Sequence, residues 1–229
     1  VPHLGVITGL ASEADCLNAY AFDERPAVRI AGASAQRARE AAQALVSSGC
    51  DGLVSLGLSG ALDPHQKPGD IVVPDTVLND DGRRFITDKL WRDSLVAVLS
   101  ASMTVSRGTL AGSNEPLLTV EQKIACRLSS GAEAVDMESH AIAEVADKHG
   151  IPFVALRVIA DSHLLEIPAW TMKGIQENGQ VHEGQIFIGF LIRPWLWHKL
   201  GILAVSNKKA LKALRRAILI AGPRLQFPG

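Results

Sequence analysis

Two acidic segments about two dozen residues apart carry the chemistry of this chain: Ala134-Val135-Asp136-Met137-Glu138-Ser139 and Leu156-Arg157-Val158-Ile159-Ala160-Asp161. The first reads as a strand running into a helix N-terminus, the second as an apolar strand that delivers a carboxylate at its end. Ligands of open α/β sheets sit at strand ends. Two carboxylates brought there can divide work, one holding a substrate's hydroxyls and the other donating a proton. Glycine-rich turns add a second signal. Gly57-Leu58-Ser59-Gly60 follows a buried run, and Gly9 follows Leu4-Gly5-Val6-Ile7-Thr8, so backbone N–H groups there can approach a phosphate or a nucleophilic water. Taken singly, each feature also has an ordinary structural reading. Asp161 fits a strand-end turn, Glu138 a first-turn acid favoured by the helix dipole, and Gly57 to Gly60 a tight turn.

These residues need a scaffold of some size. With 229 residues, 47% hydrophobic and 21% charged, the chain suffices for a single α/β domain that buries a full core without staples. Cys16, Cys50 and Cys126 are scattered and odd in number, which predicts reduced core thiols and a cytoplasmic setting. Before the first apolar run there is no basic region, and no small-residue cleavage site follows it, so no export signal is expected. His3, His65, His140, His149, His163, His182 and His198 make no ligand spacing with acids or cysteines, so no metal is expected. Neither a Walker-type Lys-Ser/Thr nor a dinucleotide Gly-x-Gly-x-x-Gly occurs, and no cofactor is expected.

Periodicity places the elements. Leu4 to Thr8 predicts a strand, Ser12 to Ala19 a helix, Ala27 to Ala31 a strand, Ser34 to Ser48 a helix closed by Gly49, and Gly52 to Leu56 a buried strand. Strand, crossover helix and strand imply a parallel βαβ unit. Further on, a strand is interrupted at Pro74, helices are predicted over Trp91 to Ala101 and Leu117 to Ser129, and strand pieces over Met103 to Ser106 and Thr109 to Ala111. Met137 to His149 reads as a helix capped by Asp136 and ended by Gly150 and Pro152. Phe153 to Ala160 is a continuous apolar strand broken only by Arg157, the pattern of a strand covered on both faces. Nothing divides the chain into separate domains.

Four segments in order, Gly5 to Gly9, Gly57 to Gly60 followed by Lys67-Pro68-Gly69-Asp70, Val135 to Glu138, and Arg157 to Asp161, resemble the purine nucleoside phosphorylase and methylthioadenosine/S-adenosylhomocysteine nucleosidase superfamily. The resemblance implies a three-layer phosphorylase/hydrolase-like α/β fold, a mixed central sheet flanked by helices, and cleavage of an N-ribosyl bond. It implies Asp161 as the acid facing N7 of adenine, Glu138 on the ribose 2′- and 3′-hydroxyls with Met137 against the sugar, and Gly9, Gly57, Ser59 and Gly60 lining the pocket. Ser113, Asn114, Glu115 and Pro116 would lie along the base. A homo-oligomer is expected. The finer resemblance is to hopanoid-associated phosphorylases, resting on Thr8-Gly9-Leu10-Ala11, Ser55-Leu56-Gly57, Asp161 followed by Ile167-Pro168, and the basic apolar tail, and it implies adenosylhopane as substrate. Methylthioadenosine or S-adenosylhomocysteine is the soluble alternative.

Departures from the family pattern leave the nucleophile open. Nucleosidases carry a water-activating glutamate five residues after the first-loop glycine, where this chain has Ala14 with Glu13 one position earlier. Glu13 reads either as the base or as a solvated helix acid. Phosphorylases carry arginines where Glu13 and Ser55 stand, so phosphate as co-substrate would need Arg37, Arg39, Arg83 or Arg84 instead. With neither set in place, a catalytically inactive binding protein that keeps the fold is the alternative of another class.

The C-terminal region is electrostatically distinct. From Gly184 onward there are eight basic residues and no acidic one, so the remainder carries −9 of the overall −1. A helix over Ser206 to Ile220 would set Lys208, Lys212, Arg215 and Arg216 against Leu211, Leu214 and Ile218. Such a helix either lies on an anionic membrane surface or packs on its own sheet or on a second subunit. Aromatics are not interleaved on its charged face, which argues against nucleic acid. The apolar runs before it never reach the ~18 uninterrupted residues of a spanning helix.

Overall fold

The computed structural model of the chain describes residues 3–169 and 197–228. The apolar run Ile186 to Ile192 and Trp195 lie outside the described residues. Strands β1 (Leu4–Thr8), β2 (Ala27–Ile30) and β3 (Gly52–Ala61) open the fold, with α1 (Ala11–Ala14) and α2 (Ala35–Ser47) between them. Then come β4 (Ile71–Val72), β5 (Thr76–Leu78), β6 (Arg84–Ile86), α3 (Lys89–Ser100), β7 (Val105–Ser106), β8 (Thr109–Gly112), α4 (Val120–Ser130), β9 (Ala134–Asp136), α5 (Ser139–His149), β10 (Phe153–Asp161) and α6 (Trp197–Ala221).

One mixed sheet joins all ten strands, and β3 is its pivot. The first half of β3 pairs in parallel with β1 from Gly52↔Leu4 to Ser55↔Ile7, while Gly60 and Ala61 pair antiparallel with Val135 and Ala134 of β9. Along its other edge β10 runs parallel, in register from Phe153↔Leu53 to Arg157↔Gly57 and on to Asp161↔Gly60, past a shift between Ile159 and Asp161. The predicted parallel βαβ unit is present, with β1 between β2 and β3.

Helices cover both faces. Ala38, Ala42 and Leu45 of α2 and Ala141, Ile142 and Val145 of α5 fill one side of the sheet. Trp91, Leu95 and Leu99 of α3 and Ala210, Leu214, Ala217 and Ile218 of α6 fill the other. That α6 face is fully buried, so the basic helix packs on its own sheet. Trp91 Nε1 donates to Leu225 O at 2.7 Å, and Tyr20 OH donates to Ile218 O, locking the helix to the body. Cys16 and Cys50 are buried and unbridged as expected; Cys126 is only half-buried.

Several expectations are corrected. The helix foreseen over Ser12 to Ala19 is one α turn followed by a 3-10 segment, Asp15–Ala19. Gly57 to Gly60 is not a loop but the continuation of β3, because β10 and β9 supply ladder partners along it. The strand broken at Pro74 becomes β4 and β5, which take different neighbours. Helix α5 begins at Ser139 rather than Met137, with Glu138 at the N-cap position. Asp136 still serves the helix start, its Oδ1 accepting from Glu138 N at 3.3 Å and Ser139 N at 3.0 Å.

Candidate active site

The strand-end chemistry gathers around Arg157. This side chain is completely buried in the middle of β10, and a buried guanidinium persists only when it is paired and hydrogen-bonded. Its Nε lies 2.7 Å from Asp136 Oδ2 and its Nη2 3.2 Å from Glu138 Oε2. Nη1 donates to Leu58 O at 3.2 Å, and Nη2 donates to Ser55 Oγ. Ser139 Oγ, at the first residue of α5, lies 3.2 Å from Nε and bridges to Ser55 Oγ at 2.8 Å. The guanidinium is thereby spent on holding β3, β9 and the start of α5 in one cluster.

Glu13 joins the same cluster. It is 3% exposed, so the reading as a solvated helix acid is overturned. Its Oε2 accepts from Leu10 N at 2.8 Å and its Oε1 from Leu58 N at 2.8 Å. Both bonds come from the glycine-bearing segments, and both position the carboxylate. The glycines are needed for space. A methyl group at Gly9 would sit 2.8 Å from Glu138 Oε1 and 3.5 Å from Glu13 Oε2, and one at Gly57 would sit 2.7 Å from both Glu13 oxygens. Gly9 is therefore where the two carboxylates converge.

Three buried carboxylates, Glu13, Asp136 and Glu138, face one guanidinium. Burial pushes the Glu138 carboxyl up to about 8; Arg157 pulls against this while Asp136 and Glu13 reinforce it. Burial likewise raises Glu13, with Arg157 and the N–H groups of Leu10, Leu58 and Gly9 opposing. Both acids are thereby pushed towards their neutral forms by the desolvated site they share.

Asp161 ends β10 beside Gly60, whose missing side chain leaves room for it: a methyl group there would lie 3.3 Å from Asp161 Oδ2. Burial raises its carboxyl, and Lys123 acts against that and lowers it. Lys123 Nζ sits 2.5 Å from Asp161 Oδ2. The loop from Ser113 to Pro116 reaches the same end of the sheet because Ser113 N donates to Asp136 O at 2.9 Å. Asn114 is held by Asp80, which accepts from its backbone N at 3.1 Å and from its side-chain amide. Ser113 Oγ turns back to Glu115 O at 2.6 Å, Glu115 is exposed and Pro116 half-buried. Ser59 is buried with no hydrogen-bond partner for its hydroxyl, and Met137 is half-buried next to Glu138.

The alternative phosphate ligands do not gather here. Arg39 pairs with Glu144 and Arg83 with Asp147 on the surface, Arg37 caps the carbonyls of Ala31 and Gly32, and Arg84 is exposed on β6. Ser55 is committed to Arg157 and Ser139. Among the described residues no cluster of metal-ligating side chains occurs.

Two buried cations at the candidate site were given no role by the sequence reading. Arg157 was visible as the single charge in an apolar strand, a signal that it must find buried acids. Lys123 carried no such signal. On α4 its neighbours Ile124 and Leu128 are 48% and 81% exposed while Lys123 is 1% exposed, the inverse of an amphipathic pattern.

Known structures share this architecture. Helicobacter pylori methylthioadenosine/S-adenosylhomocysteine nucleosidase, a mutant solved with 5′-methylthioadenosine in its active site, superposes with a TM-score of 0.68 at 15% identity over 95% of this chain and 98% of that one. Futalosine hydrolase of the same organism gives 0.68 at 15% identity, covering 95% and 97%. S-adenosylhomocysteine nucleosidase from Streptococcus pyogenes, in complex with 5-methylthiotubericidin, gives 0.68 at 18% identity, covering 94% and 95%. No curated protein sequence matches the chain. The sequence profile of the Phosphorylase superfamily, in contrast, matches residues 26–182, a stretch that includes β3, Glu138, Arg157 and Asp161, and the chain belongs to that superfamily.

Proposed function

We propose that the protein cleaves the N-glycosidic bond of an adenosine-type nucleoside, with water as nucleophile and adenine as leaving group. The observation that carries this reading is the convergence of Glu13 and Glu138 on Gly9, with Asp161 at the end of the same pair of central strands. Glu138 holds the ribose 2′- and 3′-hydroxyls, and Met137 packs on the sugar. Asp161 gives a proton to N7 as the C1′–N9 bond breaks and its electron pair passes to the purine. Glu13, fixed by two backbone N–H groups, takes a proton from the water whose oxygen bonds to C1′. A carboxylate tuned towards neutrality suits this work. The acids gathered around Arg157 favour the positive charge that develops on the sugar.

Water is preferred to phosphate on electrostatic grounds. The donors of the central guanidinium, Arg157, are engaged by Asp136, Glu138, Ser55, Ser139 and Leu58, and the buried Glu13 adds a further acid beside Leu58. Like charges at such range in a buried site repel by several kcal/mol, of order 4 at ~4 Å even with strong screening.

For the group on the ribose 5′ position, adenosylhopane is the favoured substrate. Support comes from the hopanoid-associated sequence features and from α6. Its early turns leave Ile202 at 41% and Val205 at 70% exposure, while Lys208, Lys209, Lys212, Arg215 and Arg216 are exposed further along. An apolar and basic surface of this kind suits peripheral contact with an anionic membrane, where a lipid nucleoside resides. Among the described residues no helix is long and apolar enough to cross a membrane.

Adenine release from adenosylhopane in detergent and from methylthioadenosine, each with and without phosphate, tests the reading. Release without phosphate from the lipid nucleoside supports the whole of it, and release without phosphate from methylthioadenosine alone keeps the chemistry and replaces the substrate. A strict phosphate requirement overturns the water mechanism. Nucleoside binding with no release from either substrate would instead identify a binding protein that has lost catalysis.

A further inference from the structure

Lys123 is the least expected buried residue of the chain. It lies on α4, outside the strands that carry the acids, and is 1% exposed. An ammonium in such a place needs an acceptor for each of its three protons. It has three: Asp161 Oδ2 at 2.5 Å, Ser162 O at 3.0 Å and Leu165 O at 2.9 Å. Two of these belong to the turn that follows β10, which is itself closed by Leu165 N donating to Ser162 O at 3.0 Å. The same segment is tied to the start of α4 by Ile167 N donating to Leu118 O at 2.9 Å. Helix α4 is in turn held by a capping box, in which Thr119 Oγ1 accepts from Gln122 N at 3.2 Å and Gln122 Oε1 accepts from Thr119 N at 3.0 Å. A rigid element therefore presents one charge to one carboxylate.

We propose that Lys123 is a positioning residue for Asp161: it clamps Oδ2, leaves Oδ1 as the oxygen available to the purine, and fixes the 162–165 turn beside the site. This inference rests on the proposed nucleoside cleavage. Its second consequence concerns the proton. Among the described residues Lys123 is the charge paired with Asp161: β3 presents Gly60 beside the carboxyl, and Arg157 on its own strand is engaged with Asp136 and Glu138. Burial raises Asp161 and Lys123 restrains the rise, so the ammonium limits the pH up to which the acid keeps its proton. In kcat/KM this appears as the alkaline limb.

Two variants separate the roles. Lys123→Met removes both charge and hydrogen bonds; Lys123→Gln keeps a donor without the charge. For Lys123→Met we expect the Asp161 carboxyl, followed by carbon-13 NMR and assigned with Asp161→Asn, to titrate about one pH unit or more higher. The alkaline limb of kcat/KM moves with it, and kcat falls about tenfold or more with KM changed far less. Lys123→Gln keeps the shifted limb and regains part of kcat. A merely structural lysine would lower activity equally at all pH values and leave the Asp161 titration in place, which would overturn the proposal.

Should neither variant fold, nitrogen-15 NMR of Lys123 Nζ in the wild-type protein decides. Its shift must follow Asp161 protonation, and independence of the two overturns the pairing. Absence of adenine release by the wild type refutes the cleavage reading, and the carboxyl titration still reads the pair.

Discussion

Replacing Glu138 by glutamine removes a buried ionisable group whose charged form the site disfavours, and the structure sets both sign and scale of the effect. Its folded-state carboxyl is raised from an ordinary 4.5 to about 8, because burial outweighs Arg157. A carboxyl raised on folding leaves stability intact below about 4.5, where it is protonated in both states, and costs stability as pH climbs towards 8. A shift of about three and a half pH units corresponds to at most about 5 kcal/mol above pH 8, at ~1.4 kcal/mol per unit. Coupling to the neighbouring Glu13 and loss of the hydrogen bond to Arg157 in the variant reduce this, so a gain of about 2 kcal/mol is expected. For a domain of this size that is a rise of about 4–8 °C in Tm. Thermal unfolding of wild type and Glu138→Gln at pH 5 and pH 8.5 is the assay. The variant should be more stable at the higher pH, the gain should shrink towards pH 5, and adenine release should be lost at both. Greater destabilisation at pH 8.5 than at pH 5 would refute the reasoning, since it would make Glu138 a stabilising ionised partner of Arg157.

Other expectations follow from single contacts. Asp161→Asn should lower adenine release by about 10²–10⁴-fold, and by stranding the buried Lys123 ammonium it should cost about 3–5 kcal/mol of stability; adding Lys123→Met should recover part of that loss in a thermal double-mutant cycle. Gly57→Ala places a methyl group 2.7 Å from both Glu13 oxygens, so kcat should drop at least about tenfold, read in the adenine assay. Trp91→Ala empties the space between α3 and α6 and frees Leu225 O, which should cost about 3–5 kcal/mol in denaturant unfolding.

Much of the fold was legible in the chain because local pattern and tertiary role agree along its central elements. The continuous apolar run ending at Asp161 is β10, the alanine-rich stretch after Ser34 is α2, and Asp136 serves the start of α5 even though the helix begins later. The motif acids could be named because their residue types are unusual at strand ends. What they meet could not be read, since that depends on which strands become neighbours. Gly57 to Gly60 looked like a loop in isolation and is a strand only because β9 and β10 pair with it. Glu13 stood as base or surface acid until the N–H groups of Leu10 and Leu58, far apart in sequence, converged on its two oxygens. Lys123 sits among residues that local periodicity turns outward, and only packing of α4 against the end of β10 buries it beside Asp161. Sequence alone thus determined most of the strands and helices and the acids available for chemistry. Tertiary structure decided which acids are buried together and which cation restrains them, because desolvation and charge proximity exist only once the chain is closed on itself.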